Sequence, residues 1–443
     1  MKKYLVIIAT IFFGFAVNAQ ESNMRLSLQE AIDFAIENSY NTKVAKKDIE
    51  SAKQQKWETT TIGLPQIEGT VDYQNFLKQQ VTLFDTNGDG INEEFTFGTK
   101  QNINAAVTLR QLIFDGSYLV GLQSARTFLK ISEQAKEKTE LLTREAVINA
   151  YGNVLISEKS IGILENNKKT LEKNLSDAKK IFENGLNEEE DVEQLEITLG
   201  NVQSQLNSVK RLKGIAYQML NITLGNDITT QLTLTDSLDS LTESNINFEL
   251  ISQSFNLNNH IDFKIAQNDR ESKRLLMRYE QSQALPSLSA FVNYGSQANS
   301  DDFSFFNSNQ RWFNYSLLGV SLKVPLFSSL KRKSKTQRAK INLEIADIRL
   351  KETQEKLNLQ VETAKSDYQL SIENYQTAKK NLGLAERIEK KQQIKFFEGL
   401  SSSFDLAQAQ NQLYSQQQTF IQSMLDVVAR KAALENALNI PLK

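Results

Sequence analysis

The chain has 443 residues, with 51 Lys and Arg against 53 Asp and Glu and a formal net charge of −2. That balance gives no general reason to bind nucleic acid. Cysteine is absent and His260 is the only histidine, which excludes a disulfide scaffold, a histidine-based catalytic triad and a multi-histidine metal centre within one chain.

The chain begins MKKYLVIIATIFFGFAVNAQ, where Lys2 and Lys3 precede an apolar run from Tyr4 to Val17, and Val17-Asn18-Ala19 offers a small-residue site before Gln20. This pattern predicts a secretory signal peptide over residues 1–19. No cysteine stands at the cleavage point for lipidation. Beyond the signal no apolar run reaches ~18 residues, so a chain of this kind that crosses a membrane must do so with strands.

An opening helix is predicted from Leu26 to Thr60, ending before Pro65 because the residue preceding proline is biased away from helix. A hairpin follows. In its first arm Ile67, Val71 and Tyr73 oppose Glu68, Thr70 and Asp72; in its second, Ile103, Ala105, Val107 and Leu109 oppose Asn102, Asn104, Thr108 and Arg110. Arms of about ten residues with one apolar and one polar face suit a membrane barrel, and a soluble sheet is the alternative. The connecting loop reads Asp85-Thr86-Asn87-Gly88-Asp89-Gly90-Ile91-Asn92-Glu93. Asp85, Asn87, Asp89, the Ile91 carbonyl and Glu93 have the spacing of calcium ligands. Thr96 stands where such a loop closes on glutamate, and a plain series of Asn-Gly and Asp-Gly turns is the competing reading.

From Gly116 to Gly185 the chain has no proline and carries apolar residues at three- and four-residue spacing, among them Leu122, Ala125, Leu129, Val147, Tyr151, Val154, Leu164, Leu171 and Ala178. That period predicts one helix of roughly 100 Å, which needs partner helices to bury its stripe. A tight tip at Phe182-Glu183-Asn184-Gly185-Leu186, with Asp191-Val192 after it, leads into a return helix of about 38 residues. The segment 227–247 is rich in Thr, Ser and Asp.

The plan then repeats. Ala284-Leu285-Pro286 echoes Gly63-Leu64-Pro65; Val320-Ser321-Leu322-Lys323 echoes Val107-Thr108-Leu109-Arg110; Phe396-Phe397-Glu398-Gly399-Leu400, with Asp405-Leu406 following, echoes the first tip. Three blocks in one order predict a duplication: a first repeat over 20–226, a linker over 227–247 and a second repeat over 248–443. The second repeat brings an opening helix from Phe248 to Gln283 and a second long helix from Ser328. In its hairpin Leu288, Ala290, Val292 and Tyr294 oppose Ser287, Ser289 and Asn293, with Phe291 breaking the pattern. Leu318, Val320, Leu322 and Val324 are set against Ser316, Gly319, Ser321 and Lys323, with Leu317 an exception. Phe303, Phe305, Phe306, Trp312, Phe313 and Tyr315 crowd the second loop, as an interfacial belt or as loop cover. Lys331-Arg332-Lys333 and Lys335 start the second long helix, facing lipid headgroups or plain solvent.

Four strands cannot close a membrane barrel, and open edges are not tolerated in lipid. Two chains supply eight strands, just enough for side chains to fill the interior, whereas three supply twelve and leave a lumen. A homotrimer is expected, with Glu68, Asp72, Arg110 and Lys323 on its lumen side. No glycine-rich phosphate loop follows a strand, and the carboxylates of the long helices read as solvated i, i+4 partners, so an enzyme is not expected.

Leu26-Ser27-Leu28-Gln29-Glu30-Ala31-Ile32, the paired Leu-Pro hairpin starts and the duplicated tips resemble the TolC-like outer-membrane efflux proteins (outer membrane factors) over nearly the whole mature chain. The resemblance implies an α+β membrane protein: a trimeric 12-stranded outer-membrane β-barrel, four strands per chain, continuing into a periplasmic 12-helix α-barrel of long coiled-coil helices. The span 227–247 resembles the family's equatorial linker. The implied location is the outer membrane of a Gram-negative-type cell, with a long periplasmic extension. The implied partners are a periplasmic adaptor (membrane fusion) protein, an inner-membrane pump and outer-membrane lipid, and the implied function is a passive efflux duct needing no cofactor. A type I protein secretion conduit uses the same architecture; a coiled-coil envelope spacer or adhesin is the non-channel alternative.

The resemblance also makes the tips, with Gly185, Leu186, Asp191, Gly399, Leu400, Asp405 and Gln408, the channel gate. Rings of three carboxylates at Asp191 and Asp405 would select cations. Alternatively each carboxylate caps its own return helix, the preferred reading for Asp191. The pattern departs from the family's best-known member at Gln408, where that protein has an acid, and at Ser401, where it has a base. These departures count against a charge-locked gate and leave the gate itself.

Overall fold

The long apolar stripes form the helices their period predicts. In the structure, a computed structural model that describes residues 24–85, 88, 90, 92–185 and 188–440, α3 is continuous over Gly116–Glu183 and α7 over Lys331–Phe397. The expected signal peptide, Leu186, Asn87, Asp89 and Ile91 lie outside the described residues. The return helices are α4 (Glu189–Leu224) and α8 (Ser403–Ala437). Among the described residues no helix is long and apolar enough to cross a membrane.

Neither opening helix runs as expected. The first begins as a short strand, β1 (Met24–Leu26), and continues as α1 (Leu28–Asn38) and α2 (Tyr40–Thr61), broken at Ser39. At the break Ser39 caps α2, its Oγ accepting from the Thr42 N–H at 3.3 Å, and α4 ends close by. Gly225, which ends α4 at φ +84°, lies so close that a Cβ there would stand 2.2 Å from the Asn38 carbonyl oxygen. The second starts late: Phe248–Ser252 and Leu257–Asn259 are 3₁₀ turns, and α6 spans only Ile261–Ser282. The span between the repeats is also structured, with β6 (Leu232–Leu234) pairing in parallel with β1, and α5 (Leu238–Ser244) after it.

The remaining strands are β2 (Gln66–Asn75), β3 (Val81–Phe84), β4 (Glu93–Thr96), β5 (Gln101–Asp115), β7 (Ser287–Ser300) and β8 (Phe313–Lys323). Four of them form an antiparallel sheet in the order β2-β5-β7-β8, and β3 and β4 make a separate two-stranded arm within the first loop. Contacts divide the chain into two compact units that cut across the two sequence repeats.

One unit takes residues up to Val44, Thr139–Asn256 and those from Leu359 on. Its core joins Ala31, Ile32, Ala35, Val147, Tyr151 and Val154 to Leu220, Tyr368, Ile372, Met424 and Val427. Two buried tyrosines tie the span between the repeats to the long helices. The Tyr151 hydroxyl lies 3.0 Å from the Leu26 carbonyl and 3.1 Å from the Asp236 carboxylate; the Tyr368 hydroxyl donates to the Asn245 carbonyl at 2.6 Å and accepts from the Asn247 N–H at 2.8 Å. Burial pushes both phenols up, so they stay protonated donors.

The other unit, Ala45–Lys138 and Leu257–Asn358, contains the sheet. The two copies enter their long helices differently. Asp115 ends β5 and caps α3 directly, its Oδ1 accepting from the Ser117 and Tyr118 N–H groups at 2.7 and 3.2 Å. After β8 the chain instead makes a turn in which Ser329 and Leu330 take positive φ, and the Arg332 guanidinium closes it by donating to the Pro325 and Leu326 carbonyls at 2.8 and 3.2 Å. Arg332 is thus a turn residue rather than part of a free basic patch.

Candidate functional site

Cross-strand register gathers the polar positions of the sheet onto one face. Glu68 pairs with Thr108, which pairs with Asn293; Asp72 pairs with Asn104 and then Gln297; Gln66 pairs with Arg110 and then Phe291; Asp115 pairs with Ser287 and then Lys323. Glu68, Asp72, Arg110 and Lys323 therefore share a face, as expected. A lattice of side chains covers it: Asn293 donates to Thr108 at 2.7 Å, and the Tyr315 hydroxyl to Asn104 at 2.9 Å.

Two aromatic rings on this polar face have a physical reason. Phe291 lies over Gly319, where a Cβ would come within 2.4 Å of its ring, and Tyr315 lies over Gly295 at the same distance. An aromatic ring covering a glycine on the neighbouring strand stabilises the pair. Two sequence readings are corrected by this register. Ser316 belongs to the apolar face opposite Tyr294, whereas Leu317, the exception already noted, does share the polar face with Asn293. Tyr315 and Phe313 are strand residues on the polar face, not members of a loop belt.

The opposite face carries Ile67, Val71, Val107, Val292, Tyr294, Leu318, Val320 and Leu322, all exposed in the single chain. All ten residues of β2 are exposed, and among the described residues both outer edges of the sheet lack a strand partner.

The tips owe their sequence to helix termination. Gly185 and Gly399 sit at φ 72° and 73°, the left-handed conformation that ends a helix and that glycine adopts without steric cost. Gly399 N–H donates to the Phe396 carbonyl at 3.0 Å and Leu400 N–H to the Lys395 carbonyl at 2.8 Å; Gly185 N–H likewise reaches Phe182 at 2.8 Å. Asp405 caps its own return helix in a box with Ser402, whose Oγ accepts from the Asp405 N–H at 3.2 Å and donates to the carboxylate at 2.9 Å. Ser401 adds a bond to the same oxygen at 3.2 Å. These bonds, led by the Ser402 hydroxyl, hold the Asp405 carboxyl below the usual range.

Asp191 departs from expectation. The N-cap of its own helix is Glu188, which makes no side-chain cap bond. The Asp191 carboxylate instead accepts from the N–H of Ser403, the first residue of α8, at 3.1 Å, linking the two tips of one chain. Sequence spacing alone assigns a carboxylate to the nearest helix start; only the packing shows which free N–H it meets. Gln408 and Leu400 are exposed, as is Phe404 beside them.

At the loop end, the Asp85 carboxylate accepts from the Gly88 and Gly90 N–H groups at 2.7 and 3.0 Å, and Glu93 opens β4. His260, the one histidine, is buried and caps α6, its Nδ1 accepting from the Asp262 N–H at 3.2 Å. Among the described residues no group of three or more His, Cys, Asp or Glu is placed to hold a metal.

The profile of the outer membrane efflux protein family matches residues 31–226 and 253–439. The chain belongs to that family. The two matched segments fall within the two repeats, and the expected fold class, a trimeric outer-membrane β-barrel continued by a helical barrel, is the fold of these efflux proteins. The family is one of channels.

Solved structures of similar fold include the outer membrane protein VceC from Vibrio cholerae, with a TM-score of 0.71 and 15% identity over 94% of this chain and 97% of that one. The outer membrane channel CmeC of Campylobacter jejuni has a TM-score of 0.70 and 17% identity over 93% and 85%. The open state of the Neisseria gonorrhoeae MtrE outer membrane channel has a TM-score of 0.71 and 16% identity over 94% and 89%. No curated protein sequence matches the chain.

Proposed function

We propose that this efflux-family chain is the outer-membrane duct of a tripartite export system, three copies closing their sheets into a barrel that a periplasmic adaptor and an inner-membrane pump engage from the tips. The supporting observation is the sheet: one face apolar and exposed, the other polar, both outer edges unpaired among the described residues. Lipid covers such an apolar face, and open edges in lipid must be paired. The polar face with Glu68, Asp72, Arg110 and Lys323 then lines the lumen. A second exposed stripe on α4, formed by Leu212, Ile215, Met219 and Ile222, supports packing against a neighbouring copy. A coiled-coil spacer would have no use for a two-faced sheet. Channel-forming activity of the detergent-purified chain in planar bilayers, with a mass of three chains by light scattering, tests the reading; a one-chain mass with no conductance overturns it.

The gate we place at the tips, with the Asp191 carboxylate on the Ser403 N–H holding the two tips of a chain together. Exposed Leu400 and Phe404 offer the adaptor an apolar contact there. Asp191→Ala removes the tie without touching the Asp405 capping box, so single-channel conductance rises; unchanged conductance excludes the tie as part of the gate. Asp405→Ala tests the carboxylate ring separately, and unaltered cation selectivity discards that ring.

A further inference from the structure

Two apolar groups mark the loop end of the sheet, one toward each outer edge. On the β2 side Tyr73 meets Phe303 and Phe305 edge-on, with ring centroids 5.9 and 6.0 Å apart, and Phe306 lies 5.9 Å from Phe303. This packing buries Phe305 but leaves Phe306 89% exposed, and Leu77, just past the end of β2, is 95% exposed. On the β8 side Trp312 stands exposed just before the strand, while Phe313, which opens it, lies on the polar face with the Arg311 guanidinium 5.5 Å from its ring centroid.

The order β2-β5-β7-β8 places Leu77 and Trp312, at the loop ends of its outermost strands, three strand spacings apart within a chain, about 14 Å. Between copies the distance changes. Three antiparallel pairings leave β2 and β8 running in opposite directions, so the outer edge of β2 can continue the ladder on the outer edge of another copy's β8. The loop ends then coincide, and Leu77 and Trp312 stand one spacing apart, about 5 Å.

We propose that Leu77 and Phe306 of one chain pack on Trp312 of the next copy, an apolar clasp that seals the loop end of each seam. The inference rests on the barrel closure proposed above. Apolar side chains that face water in one chain are thereby covered by a second copy of the same chain, and the free end of each strand ladder is pinned where it would fray.

A chain without cysteine allows a direct test. Leu77→Cys and Trp312→Cys are combined, and the purified assembly is treated with a bis-maleimide spanning less than about 10 Å, which bridges one strand spacing but not three. Most of the protein is expected to move to two-chain and three-chain bands on a denaturing gel, while either single variant stays at one chain. Light scattering of the same sample reads closure independently. A three-chain mass without the ladder overturns the clasp and leaves the barrel; a one-chain mass overturns both. In a Trp57→Phe chain, Trp312 is the only tryptophan. Its emission should resist quenching by brominated lipid, and strong quenching would give this face to lipid instead of a second copy.

Discussion

His260 shows how one buried side chain sets a pH response. Its Nδ1 accepts the Asp262 N–H, and protonation would fill the lone pair that makes the cap. Burial, the largest cause, with Lys138 and Lys264 nearby, holds the imidazole below its ordinary value, against the opposing pull of Asp262. A depressed histidine leaves stability untouched above the unfolded value and removes it as pH falls toward the folded one, because only the unfolded chain takes up the proton. The Tm of the wild type should therefore fall between about pH 7 and pH 5, and His260→Asn, which caps without titrating, should flatten that part of the curve. Parallel curves would remove the histidine from the account. Gly225 makes the second residue-scale case. At φ +84°, with the Asn38 carbonyl in the space a Cβ would take, Gly225→Ala combines left-handed strain with a backbone clash. A loss on the order of 2 kcal/mol or more is expected, read as a lower denaturation midpoint; a neutral result would mean that the break at Ser39 does not depend on this contact.

Among the elements, the sheet depends on paired choices across strands. Gly295 exists under Tyr315, and the ring it admits reaches across to Asn104. Gly295→Val sets two effects against each other. Strand propensity favours valine, on a scale spanning about 1 kcal/mol. Overpacking costs about 1–3 kcal/mol and here also breaks the bond to Asn104. The clash should win, lowering the temperature at which the β-sheet signal melts; a rise would show that Tyr315 moves aside without loss. The tips make the complementary point for helices. Glycine at the C-terminal end of the rod and the Ser402–Asp405 box at the start of α8 fix where each helix stops and starts, so the tip geometry is written locally. The tie from Asp191 to Ser403 is a tertiary contact between two such local structures.

At the scale of the molecule, a two-faced sheet with free edges is unfinished as a monomer. Val320 sits on the apolar face and is 67% exposed. Val320→Arg should cost about 2–4 kcal/mol if the site faces the middle of a bilayer and nearly nothing if it faces water. The fraction of chain recovered in the outer membrane measures this. Normal membrane recovery would contradict the assignment of that face to lipid.

Much of this protein was legible from its residues. The long helices, the tips, the duplication and the two faces of the strands all follow from spacing and from Gly and Pro, because helix and strand periodicity and backbone dihedral limits act over a few residues. Phe291 looked like an error in the strand pattern, and Tyr315 like a loop residue, until the register brought each over a glycine of another strand. The close pass of Gly225 by Asn38 and the partner of Asp191 were likewise decided by what lay close in space. Each answers to an atom contributed by another segment, and spacing along the chain carries no record of which segments will meet.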